Sequence, residues 1–165
     1  ADTETADGVS RLLASASRQA AAGEFSAARS EFEAALRLDP QSAAARDGLQ
    51  RVKSQMAAEE FRRLMAEGHT ALDAGDFARA RTRFAAAKGL RPEAAEAAEA
   101  LAQTENRQRA LRIEALRANA VDGEARGDGS AALAAYEEAL ALEPNLQFAL
   151  QGEGVSGRPL RRSCS

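Results

Sequence analysis

Aromatic and β-branched residues are scarce in this chain. It has no Trp, one Tyr and six Phe among 165 residues, and Val and Ile together supply five. Strands draw on those residue types, so a strand-rich fold is excluded. Cysteine occurs once, at Cys164, which leaves no internal disulfide and no thiolate metal site. Histidine also occurs once, at His69, so a nucleophilic triad or a His-based metal centre would rest on a single residue. No apolar run approaches the roughly 20 residues that span a bilayer, and no membrane insertion is expected within this chain. Neither sign of charge prevails: 22 basic and 25 acidic residues are interspersed, with a net charge of −3. The basic face of a general nucleic-acid binder is missing, and no nucleic-acid partner is expected.

What is abundant is helix-forming. Alanine supplies 42 residues and leucine 17. With Glu, Arg and Gln, these residues lose little rotamer freedom in a helix. An all-α fold is predicted. Side chains this small bury little area each, so the helices must approach closely and neighbouring segments must stabilise one another.

The chain repeats itself. Pro40, Pro92 and Pro144 recur at a spacing of 52 residues, and their surroundings recur with them. Gly23-Glu24-Phe25, Phe32, Ala35 and Leu36 precede the first proline. Gly75-Asp76-Phe77, Phe84, Ala87 and Lys88 precede the second, and Gly127, Tyr136, Ala139 and Leu140 the third. Ala28, Phe32, Ala35 and Leu36 step by four, three and one, which places them on one helical face. Gly23 stands where a glycine can close a helix in the left-handed conformation. Pro40 ends the next helix, because the residue before a proline is pushed out of the α region. Repetition at a fixed interval marks an array, and arrays make surfaces more often than catalytic pockets.

Around each proline the pattern resembles the tetratricopeptide repeat (TPR), a helix–turn–helix unit of 34 residues. Aligning the turn glycines gives units 9–42, 61–94 and 113–146. The first-helix leucine falls at Leu12, Leu64 and Leu116, and the small residue one turn later at Ala16, Gly68 and Ala120. After the turn come Ala28, Ala80 and Ala132, then the rings Phe32, Phe84 and Tyr136, then Ala35, Ala87 and Ala139. The family's tryptophan-type position is leucine in every copy, and its tyrosine-type position is Gln19, Ala71 and Gly123. The third copy crowds its turn with Gly123, Gly127 and Gly129, so its hairpin is expected to be the softest. The resemblance implies a helical-hairpin solenoid, here one array over 1–152; the glycines and the lack of helical period beyond it predict an irregular or disordered tail over 153–165.

Eighteen residues separate successive units, at 43–60 and 95–112, and neither segment contains proline. Eighteen residues are five full helical turns, which leaves the helical phase unchanged. Ala45, Leu49, Val52, Met56, Phe61, Leu64, Gly68 and Leu72 read as one continuing stripe. Each first helix is therefore predicted to extend backwards, giving long helices near 42–74 and 94–126. Short helices are predicted near 26–39, 78–91 and 130–143. The long helices would project beyond the hairpins or lean on one another. A break near Asp47-Gly48 is the competing arrangement. The polar run 104–109 predicts a wet middle for the second long helix. A shorter helix, 145–152, follows, and Glu153 stands where Leu49 and Leu101 stand in the other copies.

The glutamate pairs Glu59-Glu60 and Glu137-Glu138 are adjacent on a helix and point apart, as on a solvated face. No enzyme, cofactor or metal is expected. The resemblance implies a protein-interaction scaffold that binds a peptide or protein segment on an inner groove lined by the first helices. Carried onto this chain, the groove positions are Ser10, Leu13, Ser17 and Ala20; Arg62, Met65, His69 and Leu72; and Glu114, Arg117, Val121 and Glu124. Leu13 and Met65 would offer apolar contacts, and Arg62 and Arg117 could grip a carboxylate. The family's clamp for chaperone tails needs Lys and Asn where Leu13, Ser17 and Ala66 stand, so that ligand is not expected. The alternative is a structural or self-assembly module of a larger bacterial envelope-associated protein, with a homo-oligomer formed through the long helices or an exposed array end. Arg158, Arg161 and Arg162 could make the tail a basic docking segment. The first residue, Ala1, fits a processed chain or a piece of a longer one. Composition leaves bacterial periplasm and cytoplasm both open, with a lean to the periplasm.

Overall fold

The computed structural model describes residues 2–156. Among the described residues there are seven helices and no strand. They are α1 Asp2–Ala21, α2 Phe25–Leu38, α3 Ala43–Asp73, α4 Phe77–Leu90, α5 Ala95–Ala125, α6 Gly129–Leu142 and α7 Gln147–Ser156. Of the tail expected over 153–165, residues 153–156 continue α7, and 157–165 lie outside the described residues.

Three identical turns join the paired helices. Gly23, Gly75 and Gly127 have φ of 80°, 77° and 73°, the left-handed region that glycine enters without a Cβ clash. At each turn the glycine N–H donates three residues back, and the next N–H donates five residues back. The second bond is Glu24 to Gln19 at 2.9 Å, Asp76 to Ala71 at 2.8 Å and Asp128 to Gly123 at 2.8 Å. Paired bonds of this kind satisfy the last carbonyls of a helix. The following helix is capped in two copies out of three: Asp76 accepts from the Arg79 N–H and Asp128 from the Ala131 N–H, both at 3.0 Å. Glu24, at the same position, makes no side-chain cap.

α3 and α5 are each 31 residues long and unbroken. At 1.5 Å per residue each extends about 46 Å. α3 runs through Gly48 without a break, and the Phe32 ring occupies the space where a side chain there would be. A Cβ on Gly48 would lie 2.3 Å from Phe32 Cε1.

The expectation of one continuing stripe is corrected. The buried residues of α3 are Ala45, Gly48 and Val52, then Phe61, Leu64, Gly68, Ala71 and Leu72. Val52 and Phe61 stand nine residues apart, two and a half turns, so the buried side crosses to the opposite face of the helix. In α5 the same step separates Thr104 from Ile113, again nine residues, both buried. The polar middle of α5 is thus wet from Glu105 to Ala110, while Thr104 is fully buried and donates its hydroxyl to the Ala100 carbonyl at 2.7 Å.

Compact packing divides the chain into two units, with the division after Ala98. In the first unit, the N-terminal half of α3 closes the hairpin of α1 and α2. Ala16, Ala28, Phe32 and Val52 form one core, joined by Leu13, Phe25, Leu49 and Met56. Val9, Ala35 and Ala45 form another at the far end of the same three helices. The C-terminal half of α3 then turns its other face to α4, where Phe61, Leu64, Ala87 and Ala97 pack together. The sequence led us to expect a first half of α3 that projects freely or coils on another long helix; within this unit it lies on the preceding hairpin instead. In the second unit, Leu116 and Ala120 of α5 pack with Ala132, Ala135, Tyr136 and Ala139 of α6 and Ala149 of α7.

Three large rings, two in the first unit and one in the second, are each seated against a missing side chain. Phe32 lies on Gly48, Phe84 on Gly68 and Tyr136 on Gly152. With alanine supplying most of the remaining contacts, one buried ring contributes about 2 kcal/mol or more of the apolar stabilisation.

Candidate interaction surface

The structure places the twelve groove positions unevenly. Leu13 turns inward and packs in both cores of the first hairpin. Met65 packs against the core of Phe61, Leu64, Ala87 and Ala97, and Leu72 is buried. These three hold helices together, and their apolar area is spent inside the fold. Ser10 borders a shallow depression with Val9 and Leu38.

Ser17 and Ala20 do meet at a surface cleft. With Phe25, Phe32, Gly48, Arg51, Val52 and Gln55 they line a space of about 440 Å³ between α1, α2 and the first half of α3. Its floor is apolar, because Phe32 and Val52 belong to the core beneath. The buried Phe32 ring fills the space left by the absent side chain at Gly48, so ring and glycine together close the base of the cleft. Arg51 is the one charged residue lining it, with Gln55 one turn further along α3. Both come from the 43–60 extension, which the repeat alignment leaves outside the hairpin units, so the groove positions could not include them. Their signal in the sequence is the spacing from Gly48, three and seven residues on, the near edge of the face that carries Val52.

Arg62 and His69 are exposed on the second half of α3. The Arg62 Nε donates to the Ala58 carbonyl at 3.4 Å, so the guanidinium folds back one turn toward the N-terminus of the helix. The His69 ring stands edge-on to Phe84, with centroids 5.0 Å apart and planes at 68°. The acids on the other side of α3 are engaged. Arg63 bonds Glu60 and Glu67, each at 2.5 Å, and Arg83 of α4 reaches Glu67 at 3.0 Å. The hydrogen bond from Arg63 holds the Glu60 carboxyl below the usual carboxylate range.

In the second unit, Glu114, Arg117 and Val121 share an open face of α5 with Ala118, Asp122 and Ala125. Val121 is 57% exposed there. The Arg117 guanidinium lies over the Phe148 ring at 5.4 Å, which holds its stem to α7. Glu124 is drawn away from this face, accepting the Tyr136 hydroxyl at 2.7 Å. Burial first, and that bond to Glu124 second, push the Tyr136 phenol above its ordinary pKa. Arg112 and Glu138 pair between α5 and α6 beside a second, polar depression.

Among the described residues no group of His, Cys, Asp and Glu is placed to hold a metal ion. No helix among them is long and apolar enough to cross a membrane. The chain matches no protein-family model, and no curated protein matches it.

Proposed function

We propose that this chain is a non-catalytic interaction scaffold of TPR-like hairpins, which binds a peptide or protein segment on its helical surface. The observation that carries this reading is the cleft of α1, α2 and α3. It is open, floored by the Phe32 ring and rimmed by hydrogen-bonding groups at Ser17, Arg51 and Gln55. Sites that take a side chain from a partner combine an apolar floor with a few polar groups in this way. The three-copy repetition in sequence and the identical turns support the TPR-like reading.

The test is occlusion. Ser17 is exposed, so Ser17→Trp fills the cleft without entering the core. Dodecapeptides selected from a random display library on the wild-type protein should bind it in solution and lose binding to Ser17→Trp. Failure to select any peptide, or selected peptides indifferent to Ser17→Trp, would remove the cleft as the docking site.

A further inference from the structure

We infer that the segment bound in this cleft is acidic, with an apolar anchor residue and carboxylates spaced along an extended stretch. This rests on the docking reading above and specifies its partner. No acidic residue lines the cleft, and its one charged residue, Arg51, is exposed and makes no ion pair among the described residues. Arg62 follows eleven residues later on the same helix, about three turns on and only about 20° off the same side. His69 lies eighteen residues from Arg51, five full turns and the same side again. The buried residues of α3 flank this side, and only its far end meets a core residue, where the His69 ring stands against Phe84. The first half of α3 buries Val52 and its second half Phe61, on opposite faces, and the line Arg51, Gln55, Arg62, His69 runs between them.

The spacing decides the form of the ligand. Arg51 and Arg62 are separated by about 16 Å along the axis, and the backward fold of Arg62 brings its guanidinium to within about 11 Å of the level of Arg51 on the helix. Two guanidinium groups so far apart cannot converge on a single terminal carboxylate. They can take two carboxylates three to five residues apart on an extended chain, at about 3.3 Å per residue. An apolar side chain beside the first carboxylate would enter the cleft onto Phe32.

The same random dodecapeptide library supplies the test. Selection on the wild-type protein should enrich peptides with two Asp or Glu residues three to five apart and a Leu, Met or Phe beside one of them. Synthetic copies should bind about tenfold more weakly to Arg51→Ala and to Arg62→Ala, the loss of one charge-assisted contact each. Both residues are exposed, so both variants should melt with the wild-type protein. Replacing Asp and Glu by Asn and Gln in the peptides should weaken binding at least as much. Peptides that lose binding to Ser17→Trp yet carry no acidic bias, or ignore both arginine variants, would overturn the acidic preference and leave cleft docking standing. Peptides indifferent to Ser17→Trp, or none at all, would overturn both.

Discussion

Replacing Gly48 by alanine sets two known effects against each other at one position. Gly48 lies in the interior of α3, where glycine costs roughly 0.5–1 kcal/mol relative to alanine. Propensity alone would therefore make Gly48→Ala stabilising. The new Cβ, however, would sit 2.3, 2.4 and 2.8 Å from three atoms of the Phe32 ring. The ring is 4% exposed and wedged against Ala16, Ala28 and Val52, so it cannot swing aside freely. Overpacking of a filled core costs about 1–3 kcal/mol. Subtracting the propensity gain leaves a net loss centred at about 1 kcal/mol and reaching about 2.5 kcal/mol. At about 2–4 °C per kcal/mol for a chain of this size, the melting temperature should fall by a few degrees. Gly89 is the control. It is exposed in the last turn of α4, and a Cβ added there would meet no atom within 4 Å, so Gly89→Ala should gain about 0.5 kcal/mol. In a Phe32→Leu background the clash is relieved, and Gly48→Ala should become neutral or stabilising, a coupling readable by double-mutant cycle. Thermal melts followed by circular dichroism give all four values. If Gly48→Ala raises the melting temperature as Gly89→Ala does, the ring is not seated on the α3 backbone and the closed three-helix core is wrong.

Two further sets of substitutions probe the repeated turns and the third ring. Glu24 occupies the cap position held by Asp76 and Asp128 but makes no cap, so Glu24→Asp should stabilise by about 0.5–1 kcal/mol, and Asp76→Ala should cost about 1 kcal/mol; urea denaturation reads both. Tyr136→Phe removes the bond to Glu124 and should cost about 1 kcal/mol. Because the folded-state pKa of Tyr136 is raised, its contribution is complete below the unfolded value near 10 and is lost as pH rises beyond it. Wild-type stability should therefore fall more steeply than that of Tyr136→Phe in alkaline urea titrations, and parallel curves would contradict the assignment.

The helix boundaries were legible because glycine and proline act locally. Gly23, Gly75, Gly127 and the three prolines place the ends of the five central helices within about one residue of where they lie. The buried side of the long helices was not legible. Met56 to Phe61 is a five-residue step among threes and fours, and an alanine-rich stripe tolerates it without an obvious break. That one step carries the face across α3. A break near Asp47-Gly48 stood as the competing arrangement because the role of Gly48 depends on Phe32, sixteen residues earlier and on another helix. Thr104 read as polar because its hydroxyl finds its partner in its own helix, at Ala100, and needs no water. Of the groove positions, Ser17 and Ala20 reach the cleft, but Arg51 and Gln55 complete it from a segment the hairpin alignment set aside.

The central claim is that α3 runs unbroken through the crossing from one buried face to the other. Nitroxide labels at Arg51→Cys and His69→Cys, with Cys164→Ser, stand eighteen residues apart on one exposed side of that helix. Pulsed electron paramagnetic resonance should return a single narrow distance near 27 Å, the rise of about five helical turns. A shorter distance, or a broad or two-component distribution, would show a bend or break between Val52 and Phe61 and contradict the account.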